Sequence, residues 1–280
     1  MKHVIITTSD ARFEDFVYNH WLKSLQANVN LSNIDVAIFD YGLSEEQVEE
    51  LKKKGVIVYK CVKDNLVNNI RFRDAASFLK EKEYDQVMIT DGGDLIFQTD
   101  ISPLFEENKD QMRAACEDIQ HVFEDLFMKD AFFEEDEKKI KKMLEGTQMV
   151  NVGVVLGPAK KFASLSEETI KMIKGMDKFG PDQLAINYIL YRDGFVKLDR
   201  KYNFVITTSS REFRIEKGVF YFKDGEKIPI VHNAGRYDYS RPVENFGFGE
   251  DRNKLKKGVF YGMRALFAMM SFFKRKKTSV

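Results

Sequence analysis

Two carboxylates, Asp91 and Asp94, stand at the end of an apolar run, Met88-Ile89-Thr90, separated only by Gly92 and Gly93. A carboxylate pair on a tight turn suits a hard divalent cation, which takes one or two carboxylates and keeps positions open for phosphate oxygens. Glycine lets backbone approach such a ligand closely. The competing reading is a polar turn between strands, since Asp-Gly is a common turn pair. The chemistry at stake is metal-assisted handling of a phosphate-bearing molecule.

The elements before this motif are those of an open α/β sheet. Val4 to Thr8 is a continuous apolar and β-branched run, the pattern of a buried parallel strand. Phe13, Phe16, Val17, Trp21 and Leu25 follow at helical spacing. Ile34–Phe39 predicts a second strand, and Ser44-Glu45-Glu46-Gln47 a capping box opening a helix to about Lys54. Val56–Cys61, a helix over Ile70–Lys82 and a strand over Gln86–Thr90 complete the alternation. Such a chain forms a mostly parallel central sheet with helices on both faces. Ligands of such sheets bind at the carboxyl ends of the strands, where the aspartates stand.

The second half is less regular. Residues 117–145 are rich in helix formers, with Glu134/Lys138, Glu135/Lys139 and Glu137/Lys141 four apart, the mark of an exposed helix. Met149–Leu156 predicts another buried strand, and Pro181 the start of a helix to about Arg192. Val219–Phe222 and Ile228–Val231 flank Asp224-Gly225, which predicts a hairpin. Lys+Arg and Asp+Glu both number 44 among 280 residues, a balance that gives no support to nucleic-acid binding. Cys61 and Cys116 form no CxxC pattern, so each is expected at the end of a buried strand in a reducing cytoplasm. The N-terminal apolar run is too short for a signal peptide, and no segment has the ~20 apolar residues of a membrane span.

The stretch from Tyr84 to Phe105 resembles the metal-binding segment of A-type glycosyltransferases. It is most similar to glycosyltransferase family 8, which includes bacterial galactosyl- and glucosyltransferases and glycogenin. That family writes Asp-x-Asp; here the interval is one residue longer, so Asp91 matches the first family aspartate from the strand side and Asp94 the second from Leu95-Ile96-Phe97. Ile5–Asp10 resembles the family's first strand and nucleotide-facing end, which implies that Thr7, Thr8 and Asp10 face the nucleotide. Asp40, in Phe39–Ser44, is similar to a carboxylate that reaches base or ribose, and Arg73 resembles an arginine that steadies the aspartate pair and the donor. Asn151, in Met149–Leu156, is similar to the asparagine that contacts the donor sugar, and Asp182 and Gln183 match the Asp-Gln-x-x-x-Asn helix lining the sugar pocket. Val231–Arg236 resembles a His-x-x-Gly segment, which implies His232 as third metal ligand and Gly235 and Arg236 in the loop that holds the diphosphate. These matches keep the family order over about 230 residues, although each residue alone has a structural reading as cap, dipole partner or surface group.

The resemblance implies a Rossmann-like nucleotide-diphospho-sugar transferase fold over residues 1–250. It implies sugar transfer, with retention, from a UDP-sugar to a saccharide or lipid-linked saccharide, helped by Mn²⁺ or Mg²⁺. Asn151, Asp182 and Gln183 would stand at the sugar. Two other classes stay open: a non-catalytic sugar-nucleotide-binding or carbohydrate-binding module, and a sugar nucleotidyltransferase. Against the latter, Thr8-Ser9-Asp10-Ala11-Arg12 is no Gly-rich triphosphate loop. Residues 251–280 form a basic and aromatic helical tail. Phe260, Met263, Phe267 and Met270 lie along one strip, and Lys274-Arg275-Lys276-Lys277 follows. That pattern fits an interfacial helix on an anionic inner-membrane surface, or a helix packed on the domain or on a second copy of the chain.

Overall fold

The computed structural model of the chain describes residues 2–119, 123–235 and 237–277. β1 (His3–Ser9), β2 (Ile34–Asp40), β3 (Ile57–Lys60) and β4 (Gln86–Thr90) run parallel in the order β3-β2-β1-β4. Successive residues of β1 enter opposite layers. Val4 and Ile6 pack with α4 (Val67–Glu81), α6 (Ala159–Met172) and α7 (Pro181–Asp193), and Ile5 packs beneath the N-terminal helices and α3 (Glu45–Lys53). With a core on both faces no position needs to be polar, so the strand reads as continuous rather than alternating. Ser44 caps α3 by accepting from Gln47 N–H.

The first helix is two short α segments, α1 (Glu14–Phe16) and α2 (Lys23–Asn28), joined by a π-helical stretch over Val17–Leu22. It places Trp21 fully inside, where Nε1 donates to Thr90 Oγ1 at 3.0 Å, one residue before Asp91.

β4 is followed by β5 (Leu95–Phe97), which leaves the main sheet. The sheet is extended beyond β4 by β7 (Val150–Pro158), then β6 (Arg113–Cys116), then β8 (Val196–Lys197). β7 is antiparallel to both neighbours, so it runs against the other strands of this mostly parallel sheet. Its beginning therefore meets the end of β4: Val154 pairs with Thr90, and Asp91 N–H donates to Gly153 C=O at 3.0 Å. The reversal brings Asn151 and Gly153 to the edge where the aspartates emerge.

Three expectations need correction. The helix-rich stretch 117–145 is helical over α5 (Glu134–Leu144), preceded by a 3-10 turn at Phe123–Leu126. Glu117 and Ile119 are instead tied by their N–H groups to Met149 and Thr208 carbonyls. Within α5, Lys138 and Lys141 take their expected partners, but Lys139 pairs with Asp136. The hairpin is local only. Its turn forms, with Phe222 N–H on Glu226 C=O, an antiparallel bridge between Tyr221 and Lys227, and Ile228 N–H on Phe220 C=O; beyond that β11 (Val219–Phe222) pairs with β10 (Phe213–Glu216), while β12 (Ile230–His232) lies between β5 and β9 (Phe204–Val205). Pro229 has no N–H with which to continue the hairpin, and its carbonyl accepts from Gln98 N–H. Finally, in the tail β14 (Lys254–Leu255) pairs with β13 (Val243–Glu244), and α8 (Lys257–Lys277) turns Phe260 and Phe267 inward. The Phe260 ring meets Phe213 edge-on, so this strip faces protein, while Tyr261, Leu266 and Met269 are exposed. Among the described residues no helix is long and apolar enough to cross a membrane. Cys116 ends β6 and is buried, and Cys61 follows β3 half-buried; both are free thiols.

The α7–β7 contact fixes α7 against the sheet. Asn187, fully buried, accepts from Val150 N–H at 2.7 Å and donates to Val150 C=O at 2.9 Å and Gln183 C=O at 2.7 Å. Its amide acts as one more residue of sheet. Asn187→Ala would orphan both Val150 groups, each costing about 1–3 kcal/mol when buried and unpaired. Urea denaturation should therefore show a loss of about 2–6 kcal/mol; a loss within experimental error would remove the anchoring role.

Candidate metal centre

The loop between the two aspartates is pressed onto the end of β1. A Cβ on Gly92 would lie 2.6 Å from both Thr7 Oγ1 and the Thr8 carbonyl oxygen, and one on Gly93 would lie 2.7 Å from the Phe13 ring. The glycines are there for close packing, and the aspartates at either end are turned inward. β5 then pairs antiparallel with β12, setting Leu95 opposite His232, and Asn233 N–H donates to the Asp94 carbonyl at 2.8 Å. This small sheet carries a histidine 138 residues further along the chain to the aspartate pair.

Each carboxylate uses one oxygen on an arginine and turns the other toward His232. Asp91 Oδ1 accepts from Arg71 Nη1, and Asp91 Oδ2 lies 3.5 Å from His232 Nε2. Asp94 Oδ2 accepts from Arg241 Nη2 at 3.0 Å, and Asp94 Oδ1 lies 3.3 Å from the same nitrogen. One ligand atom from each of Asp91, Asp94 and His232 falls within 4.8 Å of the others, a group that could hold a metal ion.

The ring orientation of His232 follows from a directed chain of hydrogen bonds. Gly153 N–H can only donate, and it donates to Asn151 Oδ1 at 2.9 Å, so Asn151 Nδ2 is the atom that meets Glu117 Oε1 at 2.7 Å. Asn203 Nδ2 also donates to Asn151 Oδ1, at 3.0 Å, which leaves Asn203 Oδ1 to face His232 Nδ1 at 3.0 Å. Nδ1 therefore carries the proton. In the neutral ring Nε2 then presents a lone pair, fully buried and with no hydrogen-bond partner, to two carboxylate oxygens. Three electron-rich atoms facing one point require a proton or a cation among them. Burial disfavours the charged imidazolium, yet Asp94 and then Asp91 outweigh it and hold His232 above its ordinary value. Two carboxylates and an imidazole are a donor set that suits a divalent cation.

Arg71, fully buried in α4, is shared between Asp91 and Asp182, the latter at 3.4 Å. Burial alone would raise the Asp91 carboxyl, but Arg71 and then His232 bring it below the usual range. Burial pushes Asp182 up to about 6, against the pull of Arg71. Arg73, expected to steady the aspartate pair, does not reach it. A turn of α4 directs it to Asp64 and Asp74, and Arg71, two residues earlier, has that position.

The other expected residues divide. Asn151 sits inside the hydrogen-bonded chain, Asp182 touches Arg71 in the first turn of α7, and Gln183 is half-buried beside Met149. Gly235 packs against Arg241, where a Cβ would lie 2.9 Å from its Cγ. Thr7 is fully buried and donates to the Thr90 carbonyl, so its hydroxyl is engaged within the sheet; Thr8 is half-buried. Asp10 accepts from Arg12 N–H and pairs with Lys63. Asp40 Oδ1 accepts from Gly42 and Leu43 N–H in a turn and Oδ2 pairs with Lys60, so both its oxygens are engaged. Arg236 lies outside the described residues. Arg71, Glu117, Asn203 and Arg241 were not anticipated. The one local signal was Arg71, a charge between the buried Ile70 and Phe72.

A family model described as Glycosyl transferase family 8 matches residues 14–237. Among solved structures, the apo form of glycosyltransferase GlyE from Streptococcus pneumoniae TIGR4 is 16% identical, with a TM-score of 0.56, over 98% of this chain and 64% of that one. A second GlyE structure from the same organism is 17% identical, with a TM-score of 0.52 and the same coverage. That likeness is one of fold, and the chain spans 64% of the length of those structures. No curated protein sequence matches it.

Gly153 guards the histidine. A Cβ there would lie 2.4 Å from His232 Cε1 and 2.8 Å from Asn151 Oδ1. Gly153→Ala should weaken Mn²⁺ binding about tenfold or more, the usual scale for disturbing a ligand's support, with an overpacking cost of about 1–3 kcal/mol in stability. Electron paramagnetic resonance of free Mn²⁺, in the presence of UDP, reads the first quantity. Unchanged Mn²⁺ affinity would mean that His232 is not a ligand.

Proposed function

The chain belongs to glycosyl transferase family 8, and from that premise we propose that it transfers a sugar from a nucleoside diphosphate sugar, with UDP as the nucleotide, to a saccharide or lipid-linked saccharide acceptor, with retention. A Mn²⁺ or Mg²⁺ ion would be held by Asp91, Asp94 and His232. The observation that carries this reading is His232 Nε2, buried without a hydrogen-bond partner and faced by one oxygen from each aspartate. When bound, the ion supplies Lewis-acid neutralisation of the charge that builds on the leaving diphosphate.

The side chains around the cluster then have distinct tasks. Arg71 ties Asp91 to Asp182, so the first turn of α7 is held beside the metal ligands. Asp182, Gln183 and Asn151 are suited to orient the donor sugar through its hydroxyls. A sugar lacking one of those hydroxyls would leave buried polar groups unpaired, which gives selectivity. In the transfer the bond from the anomeric carbon to the diphosphate oxygen breaks, a bond to the acceptor oxygen forms, and the acceptor hydroxyl loses its proton. A non-catalytic sugar-nucleotide-binding module would bind the donor and leave it intact.

Manganese-dependent hydrolysis of UDP-sugars by the pure protein separates these readings. Asp94→Ala should lower turnover about 10²-fold or more with an unchanged melting temperature. Gln183→Ala should lower turnover at saturating donor while UDP affinity stays within about twofold, because the lost contact is to the sugar. Wild-type turnover by Asp94→Ala after chelation and Mn²⁺ add-back would overturn the metal assignment.

We also propose that α8 rests on an anionic membrane surface through its outward face. Tyr261, Leu266 and Met269 are exposed there, and the basic run Lys274–Lys277 follows. Removing everything after Asp251 would also strip Leu255 and Phe260 from an apolar cluster, so point changes are the cleaner test. Leu266→Glu with Met269→Glu should abolish co-sedimentation with anionic vesicles and leave donor hydrolysis intact, and salt should weaken wild-type binding. Vesicle binding by the double variant equal to wild type would sink the idea.

A further inference from the structure

Arg241 stands in an unusual place for a cation. Its Nη2 donates to Asp94 Oδ2 at 3.0 Å, its Nε donates to the Gly235 carbonyl at 3.3 Å, and its side chain is 21% exposed. Asp94 is more buried, at 12%, and its second oxygen faces His232. Two consequences follow. Asp94 can offer an ion one oxygen while the other stays on the guanidinium, and a fixed positive charge sits one carboxylate away from where a dication would bind. Both reduce the attraction of the site for a bare ion.

A diphosphate reverses this. Three protein ligands would leave coordination positions open, and phosphate oxygens filling them would bring negative charge to a site that Arg241 biases positive. We infer that Arg241 makes ion binding at Asp91, Asp94 and His232 conditional on the donor's diphosphate: it is a positioning residue that orients Asp94 and penalises the ion bound alone. The inference rests on the metal reading above and adds to it a reason for the order in which charge is assembled. By linkage the effect is reciprocal, so the ion raises diphosphate affinity by the same factor.

Mn²⁺ binding measured by electron paramagnetic resonance, with and without UDP, tests this independently of turnover. Arg241→Gln should bind Mn²⁺ alone roughly tenfold more tightly than wild type, and the enhancement by UDP should shrink by roughly the same factor, the scale of one unit charge in a partly solvated site. Arg241→Lys keeps the charge and should keep most of the enhancement. Thermal melts identify a glutamine variant that fails to fold, and Arg241→Met, equally uncharged, then carries the same comparison. Mn²⁺-alone affinity that is unchanged or weaker in Arg241→Gln overturns the inference. So does loss of UDP affinity with no change for Mn²⁺ alone, which would make Arg241 a phosphate contact only. A lysine variant that behaves like the glutamine variant would show that charge is not the cause. Wild-type protein that binds no Mn²⁺ under either condition removes the metal reading itself, and the inference with it.

Discussion

The site depends on a chain of hydrogen bonds whose donors and acceptors can be assigned in only one way. It begins at a backbone N–H, passes through two asparagine amides and ends at a histidine ring, with Glu117 accepting from the first amide. Because an N–H cannot accept and a carboxylate cannot donate, neither amide can be flipped without breaking two bonds. The histidine thus presents its lone pair on the side of the aspartates. The members of this chain come from four strands or strand ends, so the tautomer of one ring is decided by the assembly of the whole sheet edge.

That assembly rests on the reversed strand β7. A parallel strand beside β4 would place its own end there and carry Asn151 to the far side of the sheet. Running the other way, it delivers Asn151 and Gly153 to the carboxyl edge of β4, and its first residue is clasped by Asn187 of α7. The same helix begins with Asp182, which shares Arg71 with Asp91. Sheet, helix and aspartate loop are therefore joined by two buried polar clasps. Such buried polar contacts contribute a single well-defined arrangement more than they contribute net stability.

How far this was legible in the sequence varied with the range of the interaction. Asp91 and Asp94 were visible because a buried strand, two glycines and two carboxylates are contiguous. β1 to β4 were visible because burial on both faces leaves continuous apolar runs. The longer aspartate interval is a departure from the family spacing; in the structure each aspartate holds one oxygen on an arginine and turns the other toward the histidine. Arg71 and Arg73 could not be told apart by proximity in sequence, because a helix turns about 200° between them. Glu117, Asn203 and Arg241 act across separations of 34 to 147 residues, and no local pattern announces such contacts. Asp10 and Asp40 were set facing the nucleotide by resemblance alone; in the structure local N–H groups and lysines engage them. The tail's period was legible; which stripe turned inward depended on Phe213, some fifty residues away.

The π-helical stretch over Val17–Leu22 has a further consequence for how this chain tolerates changes of length. It holds one residue more than the same rise of α-helix would need. Before it, Phe13 lies over Gly93; within it, Val17 lies near Gly92, Trp21 bonds to Thr90, and His20 packs on Gly247 and accepts from Phe248 N–H. Losing a single residue there would leave a regular helix of good local geometry, yet rotate one half against the other by about 100°. The aspartate loop and the C-terminal strap could then no longer be contacted together. A deletion that looks harmless by helix propensity is thus one the tertiary structure forbids, and the irregular turn acts as a spacer whose length is set by two distant neighbours.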